Sequence, residues 1–127
     1  MNQPLSAMDC DRLNRLDAEA RYDYLLQRID ELGQLWSLAN GDDWVVMSSG
    51  NDECLPLWPD AELAQCYATR DWADCQPRAI SLELFLNRWV KGLERDGTLL
   101  AIFPSGDDEG IVMTPSELAA TLAATPE

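Results

Sequence analysis

Chemistry in a 127-residue chain without histidine has to come from carboxylates, thiols and hydroxyls. The acids cluster as Asp42-Asp43, Asp52-Glu53 and Asp107-Asp108-Glu109. Paired acids can perform acid/base work when their surroundings push their pKa values apart. All three clusters fall in predicted hairpin turns, where Asp is favoured for backbone reasons and stays solvated, so the chemistry expected of them is charge rather than proton transfer. The stretch "SGDDEG" lacks the alternating ligands and distal glutamate of a calcium loop. Ser48-Ser49-Gly50 is not a nucleophile elbow, and neither phosphate-binding glycine signature occurs. Cys10, Cys54, Cys66 and Cys75 form no C-x-x-C pair and read as reduced, small hydrophobic side chains, although a Cys66–Cys75 disulfide stays open at this level. The expectation is no catalytic residue, no metal and no cofactor.

Charge directs the search toward partners. Nine basic residues stand against 23 acidic ones, for a net charge of −14. A field of that sign repels a phosphate backbone and an anionic bilayer, so neither nucleic acid nor membrane is an expected partner. A basic protein is the partner it fits, with Asp42, Asp43, Asp107, Asp108 and Glu109 as candidate binding residues. A basic leader followed by an apolar run is not found at "MNQPLSAMDCDRLNRL", and the longest apolar runs are far short of a membrane span. The expected setting is therefore cytoplasmic.

The other candidate is Trp58, held between Pro56 and Pro59 in "LPLWPD". Proline fixes the backbone beside it, so the indole is either a rigid wall for a small-molecule groove or a plug for the end of the core. Trp36, Trp44 and Trp89 read as core, with Trp36 and Trp44 as neighbours across paired strands.

These residues must be positioned by local elements. Asp17 caps a helix running to Leu32, with Tyr22, Leu25, Leu26, Ile29 and Leu32 on one face and Gly33 as the stop. Asn40-Gly41 and "SGNDE" turn three strands near 34–39, 44–49 and 54–58, the last with an edge or bulge at Pro56. Asp60 caps a helix over 61–69, and "RDWADCQPRAI" is an irregular link. Ser81 caps a helix whose core face is Leu82, Phe85, Leu86, Trp89 and Leu93. "TLLAIFP" and "GIVM" pair across "SGDDE", and "TPSEL" opens the last helix with a capping box. The order α-β-β-β-α-α-β-β-α predicts one α+β domain over 1–127, with 1–10 and 124–127 mobile. Its sheet has about five strands, antiparallel or mostly so, with helices on one face.

The blocks "RYDYLLQRI", "LWSLANGDDWVVMSS", "LPLWPDAELA", "PRAISLELFLNRWVKGL", "DGTLLAIFP" and "VMTPSEL", with Trp72 between the third and fourth, resemble in order those of the bacterial DUF2750 family. The likeness covers residues 20–122. It implies a small intracellular α+β protein and, since the family's function is unknown, carries over no site residue. Two functions follow from the residues: a noncatalytic acidic protein that engages a basic partner, or a small-molecule-binding protein or carboxylate enzyme with a groove near Trp58.

Overall fold

Two helices open the chain, α1 (Ala7–Asn14) and α2 (Ala18–Leu32). The Asp17 carboxylate accepts the Ala20 N–H at 2.8 Å, and Gly33 in the left-handed region closes α2 with a bond from its N–H to Ile29 O. The computed structural model describes residues 7–41, 43–49, 52–67, 74–104 and 110–123. Leu25 and Ile29 are fully buried, as their spacing predicts, but Arg21 joins them on the inner stripe.

Strand β1 (Gln34–Asn40) turns through Gly41 into β2 (Asp43–Trp44), pairing Asn40 with Asp43 and Ala39 with Trp44. The chain leaves that ladder at Val45–Val46. It resumes as β3 (Met47–Ser49) against β4 (Asp52–Leu57), so the single second strand expected from the sequence serves two sheets. After α3 (Ala61–Tyr67) comes β5 (Gln76–Ser81), a strand in the stretch expected to be irregular. It pairs antiparallel with β1 from Gln34–Ser81 to Ala39–Gln76. The next helix comprises α4 (Leu82–Leu84), a π turn (Phe85–Trp89) and α5 (Val90–Asp96), started by the Ser81 hydroxyl and ended by Gly97. Strand β6 (Leu99–Ile102), β7 (Ile111–Met113) and α6 (Pro115–Ala123) complete the chain.

The sheets run β2-β1-β5 and β3-β4-β6-β7, and every pairing is antiparallel except β4 with β6. The α+β class and mostly antiparallel pairing therefore hold, in two sheets rather than one. Reciprocal bonds between Trp36 and Trp58, N–H to carbonyl at 2.9 and 2.8 Å, stitch β1 to the end of β4. Both sheets thus share one core, reaching from Leu25 and Ile29 through Leu38, Leu57 and Ile80 to Phe85, Ile102 and Leu118. Helix α2 lies against β6 and β7, α3 against β1 and β5, and α6 against α5.

Pro56 sits where it costs no ladder bond. Strand β3 stops opposite Cys54, and the Pro56 carbonyl faces away from β6 to accept the Ser37 hydroxyl at 2.6 Å. The missing N–H points the same way, off the β6 ladder.

At the chain's last helix the capping box is reciprocal: Thr114 Oγ1 accepts from Glu117 N at 3.1 Å, and Glu117 Oε1 accepts from Thr114 N at 2.9 Å. The Thr114 backbone bond, then its side chain, holds the Glu117 carboxyl below its usual range. This contribution is present above the unfolded pKa and lost as pH falls through the folded one. Thr114→Ala removes one of the two bonds and should lower unfolding stability by about 1 kcal/mol, with an unchanged fold by circular dichroism. A denaturation midpoint equal to the wild type would exclude this helix start.

Candidate functional site

Trp58 is the predicted site residue whose surroundings are best defined. Its ring is 0% exposed, its Nε1 donates to Pro104 O at 3.0 Å, and it packs tilted on Tyr67 with centroids 5.3 Å apart. It is a plug at the corner where β4 meets α3. Asp43 is exposed at the start of β2, and Asp42, Asp107, Asp108 and Glu109 lie outside the described residues. The described strand ends that launch the two acidic turns are not adjacent. Asn40 is four residues beyond the Trp36–Trp58 bridge, roughly 13 Å of strand, whereas Ile102 pairs with Leu57 beside that bridge.

Buried polar groups gather around the same corner. Asp60, expected to cap α3 with its side chain, is only 5% exposed and turns its carboxylate to α2 instead. Its Oδ1 accepts from Arg28 Nη2 at 2.8 Å and its Oδ2 from the Tyr24 hydroxyl at 3.3 Å. Its backbone carbonyl still receives the Ala64 N–H at 3.2 Å. An acid placed so close to the interior needs a full cation, and Arg28, nearly three helical turns into α2, stands beside it. The pairing raises the Arg28 pKa further, chiefly through the hydrogen bond to Asp60, and Arg28 also lies 3.5 Å from Glu31. Arg28 Nε is buried without a partner. Two turns earlier, Arg21 donates from Nε to Phe103 O at 3.0 Å and from Nη1 to Leu16 O at 2.6 Å. Periodicity missed Arg21 and Asp60 because polar residues on an inner face leave no apolar signal.

A second arrangement lies at the surface. Trp44 and Trp89 meet edge to face, centroids 4.7 Å apart at 88°, and the Arg78 guanidinium stands 5.6 Å over the Trp44 ring. Both indoles pack against the core, as the sequence predicted, but stay only partly buried, and Trp36 pairs with Trp58 rather than Trp44. The cause at Trp89 is the π turn: Val90 N–H bonds Phe85 O, so the buried positions are Phe85 and Val90, five apart, and Trp89 is rotated to the rim. Beside it opens a hollow of about 300 Å³ lined by Arg88, Trp89, Gly92, Leu93 and Asp96. Among the described residues no three His, Cys, Asp or Glu side chains are grouped to hold a metal ion, and no helix is long and apolar enough to cross a membrane.

An α+β domain with a sealed polar corner and an aromatic-cationic surface is the class these features define. The chain belongs to the DUF2750 family, described as proteins of unknown function, whose model matches residues 22–122. No curated protein and no solved structure matches it.

Burial, then the Asp60 charge, pushes the Tyr24 pKa up to about 12 from 10.0. Folded-state stability from this phenol is intact below pH 10 and is lost as pH rises from 10 toward 12. An alkaline absorbance titration should show a tyrosine ionising near pH 12 that Tyr24→Phe abolishes and Asp60→Asn lowers only part of the way, because burial is the larger cause. Asp60→Asn should also cost roughly 2–3 kcal/mol in denaturant unfolding, since it strands the Arg28 cation.

Proposed function

We propose that the protein is a noncatalytic, cytoplasmic interaction protein whose acidic surface engages a basic protein partner. The observation that carries this reading is the fate of the carboxylates. Asp60, the buried one among the described residues, is committed to Arg28 and Tyr24, while Asp23, Asp30, Asp43, Asp52 and Glu53 face solvent. Solvated acids contribute a long-range field rather than a tuned acid or base. The free thiols Cys66 and Cys75 fit a reducing compartment. A small-molecule groove built on Trp58 would have to open a ring that is wholly buried and whose N–H is taken, so that alternative gains no support.

The test replaces Asp42, Asp43, Asp107, Asp108 and Glu109 with Asn and Gln and follows association with a lysine-rich peptide by stopped flow. The association rate should fall by about tenfold or more, and the wild-type rate should fall as the screening length shrinks from about 10 Å at 0.1 M salt to about 3 Å at 1 M. Melting curves should agree, because exposed charges contribute little to stability. Equal rates for the two proteins at low salt would leave these acids as solubilising charge alone.

A further inference from the structure

Gly92 lies inside α5 without needing to be glycine. Its φ is not in the left-handed region, and a Cβ built on it would meet nothing within 4 Å among the described residues. Backbone conformation and packing within the chain thus both permit a side chain there, and glycine in a helix interior is destabilising relative to alanine. That side chain would project into the hollow of about 300 Å³ lined by Arg88, Trp89, Gly92, Leu93 and Asp96.

Those five residues stand at i, i+1, i+4, i+5 and i+8, so one helix face carries them. Glu94 lies on the other side of the helix, where its carboxylate accepts from the Ser116 hydroxyl of α6. Along the stripe Arg88–Gly92–Asp96 the charges are antisymmetric about the glycine, a cation four residues before it and an anion four residues after. Eight residues are about 12 Å of helix, too far for the two to pair with each other. Neither is ion-paired among the described residues, whose ion pairs join Arg12, Arg15 and Arg28 to Asp9, Asp11, Glu31 and Asp60.

We propose that this face is a homodimer interface, in which α5 of two copies packs antiparallel about a two-fold axis between their Gly92 residues. In a two-fold pair one patch faces itself, so residue i meets j and j meets i. Centring on Gly92 sets Arg88 against Asp96 of the second copy and Asp96 against Arg88 of the second copy, and the glycines let the two backbones approach. Trp89 and Leu93 flank the stripe on one side, so the axis gathers both copies of each into one apolar row beside the ion pairs. Charge complementarity selects the occupant, because the chain itself supplies both halves of each pair. The net charge of −14 opposes association, and this helix is where it opposes least: residues 82–96 hold three acids, Glu83, Glu94 and Asp96, and three bases, Arg88, Lys91 and Arg95.

The experiment is sedimentation equilibrium of the full chain, from micromolar concentration to about 1 mM, at about 0.15 M salt, where the screening length is about 8 Å. The wild type should show a reversible monomer–dimer equilibrium. Gly92→Gln should raise the melting temperature, since glutamine is the better helix former, and yet weaken the dimer about tenfold or more. Arg88→Glu and Asp96→Arg should each weaken it as well, because each sets like charges against each other twice. By net charge alone Asp96→Arg would associate more tightly than the wild type, so its weakening reads the local contact. Mixed in equal amounts, the two charge variants should recover the wild-type association as a heterodimer, in which both contacts again join opposite charges. The proposal is overturned by a monomer at every concentration, which would leave a helix of another protein as the occupant. It is overturned equally by a dimer that Gly92→Gln or Asp96→Arg leaves as tight or tighter, or by charge variants that do not recover association on mixing.

Discussion

The corner at Ile102–Phe103–Pro104 is the point on which the rest of the structure depends. Phe103 has φ +50, a left-handed conformation that costs a bulky residue roughly 1–3 kcal/mol. Three groups hold it there: Arg21 Nε and Trp58 Nε1 donate to the Phe103 and Pro104 carbonyls, and Phe103 N donates to Leu57 O at 2.8 Å. Each neutral bond is worth about 1 kcal/mol net and the bond from arginine more, enough to outweigh the strain. Gly110 closes the corner from the other side, at φ +78, where any Cβ would collide with the Ile102 carbonyl oxygen. Helix α2, the ends of β4 and β6, and the return into β7 thus meet in three residues.

The stretch Leu57–Asp60 is the counterpart of that corner. Leu57 extends the parallel ladder, Trp58 bonds both β1 and Pro104, Pro59 is buried, and Asp60 reaches back to α2. A parallel pair needs a long crossover, and here the crossover contains α3, β5 and the π-bearing helix. The Trp36–Trp58 bridge lets β1, paired with β5 on its other edge, anchor that crossover to the second sheet. Two small sheets thereby bury one core that neither could enclose alone.

What could be read from the sequence was local. The caps at Asp17, Ser81 and Thr114, the Gly33 stop and the Asn40-Gly41 hairpin each depend on a few neighbouring residues, and the structure has all of them. The edge or bulge expected at Pro56 is instead an inner strand, β4 between β3 and β6, with Pro56 beyond the end of its ladder with β3. Strand β5 was hidden because it is an edge strand burying just Ile80, so it shows no alternation, and Pro77 argues against a strand on composition. The β4–β6 register is set across more than forty residues, and local signals do not carry it. Asp60 was read as a cap because its position suits one, while Arg28, which claims its carboxylate, is 32 residues away. Of the candidate site, Trp58 was legible as a rigid corner residue. The surface at Trp89 was not, since helical periodicity assumes 3.6 residues per turn and the π turn departs from it.

Trp58 and Trp89 show how differently the fold treats two indoles. Trp58 lies wholly inside with its N–H engaged, so its area contributes to stability and its position closes the space a ligand would need. At Trp89 a regular α-helix would set the larger ring on the inner stripe, with about 25 cal/mol gained per Å² of apolar area removed from water. The π turn puts Val90 there instead, and Trp89, partly buried, packs against the core from its rim. Around that ring the helix carries one charge of each sign, Arg88 and Asp96, lining the same hollow. The indole at the rim is held by contact instead: it meets Trp44 edge to face at 4.7 Å, with the Arg78 guanidinium over the Trp44 ring, and so ties the π-bearing helix to β2 and β5.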